Sequence, residues 1–125
     1  MRNKFATVSL LAVSLLAASV PLFAHHGAAS YEDKTVTVTG TVTDYMWSNP
    51  HVFVKVDTKD DSGNTLHWVI EAQNPITQTG LHWSKNTFKP GDEVIIDCIP
   101  AKNGKPVGRV GATTRIVING KQFKP

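Results

Sequence analysis

The residues of this chain that could do chemistry are chiefly its five histidines. His25 and His26 are adjacent, and His51 directly follows an Asn-Pro pair. Imidazole nitrogens bind copper, nickel and zinc ions, and copper(II) in particular accepts a set of nitrogen ligands. Sulfur ligands are scarce, because the chain has one cysteine and two methionines. The pattern therefore favours nitrogen ligation of a metal ion, with copper as the first candidate.

The first 24 residues have the pattern of a secretory signal peptide. Positively charged Met1–Lys4 precedes an apolar stretch at 8–20, and Pro21–Ala24 ends in a small residue. The apolar stretch is too short for a transmembrane helix, which needs about 20 residues. We expect cleavage after Ala24 and a periplasmic protein that keeps no membrane anchor.

Cleavage at that point would make His25 the first residue. A free α-amine titrates near about pH 8, and together with the adjacent ring nitrogen it can chelate one metal ion. We predict His25, His26 and His51 as metal ligands, in a protein that binds or delivers copper to a metal-handling or envelope partner. The alternative for the histidine pair is a solvated, frayed terminus.

Composition and charge exclude several classes of protein. The chain carries 13 basic and 10 acidic residues, 18% charged and 41% hydrophobic overall, which is too apolar for a disordered chain. Loss of Arg2 and Lys4 with the signal would leave a charge of +1, so we expect no nucleic-acid partner. One cysteine cannot form an intrachain disulfide. Nucleotide-binding and nucleophile-elbow motifs are missing, and we predict that the protein is not an enzyme.

Alternating apolar residues predict an all-β fold. Thr35 to Trp47 alternates with a break at Gly40, which indicates a bend or bulge. Asn74 and Pro75 are typical of a helix start, and could open a short helix or loop. The remaining apolar alternation predicts strands at 52–56, 66–70, 94–98 and 107–118.

Five strands with this connection favour a small OB-like barrel, with a short helix or loop between strands three and four. A small sandwich is the rival architecture. The predicted organisation is a signal peptide at 1–24, an amino-terminal arm at 25–34 and the barrel at 35–125.

The second and third strands predict a hairpin that brings His51 near a carboxylate. A turn centred near Asp61 would place His51 opposite Glu71 and Lys55 opposite His67, and a slip of two residues would keep the same face. We predict that Glu71 orients the His51 ring, as carboxylates do beside metal-bound histidines. A polar cross-strand pair without a metal is the alternative.

Aromatic residues suggest a second kind of site. Trp47, His82 and Trp83 lie at the ends of predicted elements and could line a ligand groove, or they could cap the barrel mouths. Trp68 and Cys98 lie in phase with buried residues, so we expect both in the core. A groove would make the protein a binding module for an envelope partner or small ligand, without metal; a structural accessory domain is a third reading.

The motifs together resemble a family of small exported bacterial proteins of unknown function. The shared elements are His25-His26, Tyr31-Glu32-Asp33, Thr39–Val42, Trp47–His51, Glu71 and Pro90-Gly91-Asp92, with a looser match at Gly80–Trp83. The family usually has Ser-Phe after the two histidines, where this chain has Gly27-Ala28. The resemblance implies the fold, export and the location of the site. The resemblance implies no particular activity.

Overall fold

A computed structural model describes residues 30–124 of the chain. Within this segment the chain forms seven strands and one short helix. The strands are β1 Val36–Met46, β2 Phe53–Lys59, β3 Thr65–Glu71, β4 Glu93–Pro100, β5 Val107–Arg109, β6 Ile116–Ile118 and β7 Lys121–Phe123, and the helix is α1 Pro75–Gly80, between β3 and β4.

Strand β1 closes the sheet into a barrel because it pairs on both of its sides. Its first half is antiparallel to β4 and its second half is antiparallel to β2. The barrel then runs from β2 to β3 to β5 and back to β4, with β3 and β5 parallel. This closed, five-stranded arrangement confirms the predicted OB-like barrel. Strands β6 and β7 form a hairpin that extends the sheet beyond β4.

The core consists of the inward side chains of the barrel strands, with aromatic residues at one end. Its fully buried members include Val42, Val54, Ile70, Ile96 and Phe88. Cys98 is also buried, as predicted, and burial raises the pKa of its thiol to about 11. The thiol is therefore neutral and shielded near neutral pH.

Helix α1 begins where the sequence indicates. The Asn74 side chain accepts a hydrogen bond of 3.0 Å from the backbone N–H of Thr77, and Pro75 occupies the first turn, where its missing N–H costs nothing. Gln78 is buried, and its carbonyl accepts a hydrogen bond from the N–H of Trp83. The helix thereby fixes the start of the connection to β4.

The hairpin register differs from the prediction by two residues. Phe53, not His51, is the backbone partner of Glu71, and Asp57, not Lys55, is the partner of His67. The turn is centred later than expected because the Asp60 carboxylate accepts hydrogen bonds from the N–H groups of Ser62 and Asn64.

Two further predictions need correction. The segment 107–118 is not one strand, because a turn at Gly111, whose N–H bonds Thr114 Oγ1 at 2.8 Å, divides it into β5 and β6. Leu66 is 38% exposed and Trp68 is only partly buried. Since β5 pairs with β3 only from Val69 onward, the first half of β3 extends past the closed part of the barrel.

The close approach of β1 to β2 at Gly40 generates a prediction about stability. A Cβ added at Gly40 would overlap the backbone carbonyl oxygen of Asp57, which the β1–β2 ladder holds in place. Gly40→Ala should lower the free energy of unfolding by about 1–3 kcal/mol, as overpacking typically does, measured by urea denaturation. Gly80→Ala is the matched control, because nothing lies within 4 Å of its added Cβ. Equal effects of the two substitutions would contradict this account.

Candidate functional site

The candidate site is built around Glu71, the last residue of β3. Its backbone lies between two neighbours, with Phe53 of β2 on one side and Arg109 of β5 on the other. Hydrogen bonding continues past the strand end, since the N–H of Ala72 donates to the Val52 carbonyl at 2.8 Å and the N–H of Val52 donates to the Gln73 carbonyl at 3.2 Å. Glu71 is therefore held on a rigid part of the barrel and has little freedom to move away from its partners.

His51 contacts Glu71 through Nδ1. The histidine precedes β2 and sits diagonally across the hairpin from Glu71, whose Oε1 forms the ion-pair contact with that nitrogen. Nδ1 is buried, although the contact is not aligned as a hydrogen bond, and the side chain as a whole is 39% exposed. The exposed part of the ring is therefore the part away from Nδ1. The sequence-based pairing of His51 with Glu71 holds in spite of the shifted register.

Tyr31 brings the amino-terminal arm to the same carboxylate. Its hydroxyl donates a hydrogen bond of 2.7 Å to Glu71 Oε2, so the two oxygens of Glu71 serve His51 and Tyr31. Backbone contacts fix the arm here: Tyr31 forms an isolated bridge with Ala101, and the N–H of Glu32 bonds the Pro100 carbonyl at 2.9 Å. Residues 30–32 are thus packed on the barrel beside the site.

Arg109 lies over the ring of Tyr31. Its guanidinium carbon lies 4.9 Å from the ring centroid, within the range of a cation–π contact. Burial, the hydrogen bond to Glu71 and the charge of that carboxylate raise the pKa of Tyr31 to about 12, although Arg109 opposes the shift. The phenol therefore stays protonated and remains a donor to Glu71 throughout the physiological range.

These side chains line a small cavity of about 100 Å³. Its wall consists of Tyr31, His51, Glu71, Ala72, Gln73, Arg109 and Val110. The cavity offers one imidazole nitrogen donor, positioned by a carboxylate, and it has room for a small ligand or a metal ion with its waters. Residues 30–124 do not contain a group of three or more His, Cys, Asp or Glu side chains placed to hold a metal.

The other predicted ligands, His25 and His26, lie outside the described residues. Two residues of the site were not foreseen as site residues, Tyr31 and Arg109. Tyr31 was visible in the sequence only as part of a family motif. Arg109 lies beside Glu71 because β5 pairs in parallel with β3, and no local signal in the sequence indicates that pairing.

A family model now places the chain among known sequences. The model of a family of unknown function, DUF6152, matches residues 12–110. The chain belongs to this family. The match ends just after β5, so it contains all five barrel strands and every residue around the cavity, and it leaves β6 and β7 outside. The matched segment thus spans the whole barrel and the positions of the residues around the Glu71 cavity.

The remaining comparisons add little to the family assignment. No curated protein matches the chain. Among solved structures, the mitochondrial single-stranded DNA-binding protein Rim1 of S. cerevisiae has a TM-score of 0.47 and 13% identity, over 68% of this chain and 92% of that one. In the part of this DUF6152 chain that the structure describes, no helix is long and apolar enough to cross a bilayer.

The predicted aromatic groove is not formed by Trp83. Its indole is 5% exposed and packs edge-on against Phe88 and Phe123, at centroid distances of 5.2 and 6.1 Å. Trp47 is half-buried beside Tyr45, which also contacts Phe88, so both indoles join one aromatic cluster at a barrel end. This placement matches the capping alternative. Of the proposed groove residues, only His82 is exposed.

His67 provides an internal comparison for His51. Its Nδ1 lies 2.6 Å from Asp57 Oδ1, so it also pairs with a carboxylate across the hairpin. Its side chain is 78% exposed, however, and it is absent from the cavity wall. Both histidines therefore pair with a carboxylate, but only His51 lines the cavity.

The shared carboxylate generates a prediction about Tyr31. At about pH 11 an ordinary tyrosine, with a pKa near about 10, is mostly ionised, whereas Tyr31 should remain mostly neutral. Stability that depends on the neutral phenol is then complete below about pH 10 and is lost as the pH rises through the folded pKa of about 12. Tyrosine ¹³Cζ shifts measure the ionised fraction directly.

Glu71→Gln separates the causes of the shift. The substitution removes the negative charge and should bring the pKa of Tyr31 down, while burial, the largest cause, keeps it above the ordinary value. Tyr45, the second of the chain's two tyrosines, is the control: burial raises its pKa, and its hydroxyl donates to the Ser84 carbonyl at 2.9 Å, away from Glu71. If the pKa of Tyr31 were the same in the Glu71→Gln variant as in the unaltered protein, the contact between Tyr31 and Glu71 would be contradicted.

Proposed function

We propose that this protein is an exported, periplasmic metal-binding protein that takes copper(II) between His51 and the histidines of its amino-terminal arm. The observation that carries the proposal is the sharing of Glu71 by His51 and Tyr31. His26 precedes Tyr31 by five residues, and an extended chain spans about 3.3–3.6 Å per residue, or about 17 Å over that length. The arm is thus anchored within reach of the His51 ring.

The chemistry of the donors supports copper. Glu71 engages Nδ1 of His51 and leaves the other ring nitrogen for a metal, as in carboxylate–histidine–metal arrangements. Signal cleavage after Ala24 would add the amine and ring of His25, and His26 would add another imidazole. A set of three or four nitrogen donors suits copper(II) better than calcium or magnesium, which prefer oxygen.

The cavity wall contains groups of both charges beside the His51 ring. Glu71 and Arg109, partners on the neighbouring strands β3 and β5, both line the cavity. Tyr31 keeps the hydroxyl proton that it donates to Glu71, because its pKa is raised to about 12. The protein's own contribution is to orient one imidazole and to hold the arm beside it. A metal-delivery or envelope partner would then receive the ion.

The proposal predicts a defined set of copper affinities. Protein exported from cells, so that its own signal has been removed, should start at His25 by mass spectrometry and bind one equivalent of copper(II) with submicromolar affinity by calorimetry. His25→Ala and His51→Ala should each weaken binding by at least about tenfold, and Glu71→Gln by about 10–100-fold, the usual cost of losing a group that orients a ligand.

His67→Ala is the matched control, because it removes a carboxylate-paired histidine that is not in the cavity wall. It should leave the affinity unchanged, and circular dichroism should show every variant folded. A different first residue, or the same copper affinity in His51→Ala as in the unaltered protein, would refute the proposal.

A further inference from the structure

A second concave surface is lined in part by Glu32, the neighbour of Tyr31 in the arm. It is a groove of about 330 Å³, lined by the start of β3, the end of β4 and the loop that joins β4 to β5. Its volume falls within the range of small-molecule sites. We call it the lysine-rimmed groove, after Lys34, Lys102 and Lys105, which stand around it.

The floor of the groove is apolar and continuous with the core. Leu66, 38% exposed, and the partly buried Trp68 form one side, and Pro100 and Pro106 form the other. The floor exists because the start of β3 extends beyond its pairing with β5, which leaves inward-facing side chains uncovered. A ligand that covers them would remove apolar surface from water, which is favourable.

The rim is positively charged and its charges are free. Lys34, Lys102 and Lys105 are exposed, and within residues 30–124 none of the three has an ion-pair partner. Glu32 is the one carboxylate in the described lining of the groove. The mature chain would be nearly neutral, so three unpaired lysines around one apolar surface are a local concentration of charge.

The loop that carries two of the lysines is fixed before any ligand arrives. Its N–H and carbonyl groups bond within the loop, from Ala101 N–H to the Val107 carbonyl at 2.9 Å and from Lys105 N–H to Asn103 Oδ1 at 3.0 Å. The N–H of Lys102 also bonds the Ser30 carbonyl of the arm at 3.0 Å. Binding therefore needs little ordering of the backbone, which lowers its cost.

We infer that the lysine-rimmed groove binds a small amphiphilic anion, with its alkyl or aryl part over Leu66 and Trp68 and its carboxylate or similar head among the three lysines. An apolar floor calls for an apolar group, and the unpaired ammonium groups call for a negative one. A neutral apolar ligand would leave the lysines without partners. A compact inorganic anion would leave the floor exposed to water.

The test uses metal-free exported protein and three eight-carbon probes that differ only in the head group. Octanoate should bind at least tenfold more tightly than 1-octanol and octylammonium. In ¹H–¹⁵N spectra, octanoate should shift the Trp68 indole and the amides of Leu66, Lys102 and Lys105, and leave His51 unmoved. Because no metal is present, this result is independent of copper binding, and either proposal can fail alone.

Substitutions then assign the contributions. The triple change Lys34→Gln, Lys102→Gln and Lys105→Gln should weaken octanoate binding at least tenfold. The same change at Lys85, Lys89 and Lys124, three exposed lysines outside the groove lining, alters net charge equally and should change the affinity less than twofold. Leu66→Gln should also weaken binding, with the fold checked from its spectrum.

Three outcomes would overturn the inference. Equal binding of octanoate and 1-octanol would remove the role of the lysines. Equal losses in the two triple variants would mean a general charge effect. Spectral shifts in the same groove with an acidic peptide, and none with octanoate, would assign the surface to a protein partner instead.

Discussion

The whole molecule depends on one strand that pairs on both sides. Strand β1 contributes its first half to β4 and its second half to β2, and Thr41 has a backbone partner in each, Glu93 and Asp57. Close to the point where the pairing changes, the backbone of β1 approaches that of β2, and Gly40 allows this because it has no side chain to strike the Asp57 carbonyl. Because β1 pairs on both sides, the sheet closes and the barrel has an interior.

Closure also sets where the two concave surfaces lie. Strands β3 and β5 meet only at the end of β3, so Glu71 is held between β2 and β5 and becomes a fixed point for His51 and Tyr31. At the other end of β3 the same short pairing leaves Leu66 and Trp68 partly uncovered. One geometric fact, the short length of β5, thus accounts for a polar cavity and for an apolar groove.

Local patterns in the sequence were enough to predict the elements and the type of fold. The alternation of valines in β1 and the Asn74-Pro75 helix start depend on neighbouring residues alone, and both are found in the structure. The irregularity of β1 was predicted at Gly40 and lies slightly later, between Val42 and Asp44. The pairing of His51 with Glu71 was also predictable, since it needs only the parity of a hairpin. The register was not, because it depends on which residues of the 60–64 turn the Asp60 carboxylate selects.

Contacts between distant segments were beyond local reasoning. Arg109 lies beside Glu71 only because β5 pairs in parallel with β3, and Tyr31 only because the arm bonds to the end of β4. Trp83 looked like a surface aromatic at the end of an element, yet the connection after α1 folds its indole over the end of the barrel, against Phe88 and Phe123. Such contacts depend on the closed architecture and have no counterpart in short sequence windows.

The docked stretch Ser30–Glu32 has a consequence for how the two concave surfaces can communicate. Tyr31 forms part of the wall of one, and the adjacent Glu32 forms part of the wall of the other. One short segment of the chain thus contributes to both concave surfaces. If ligands on the two sides each prefer a particular position of this stretch, each alters the affinity for the other, and thermodynamic reciprocity makes the two effects equal in size.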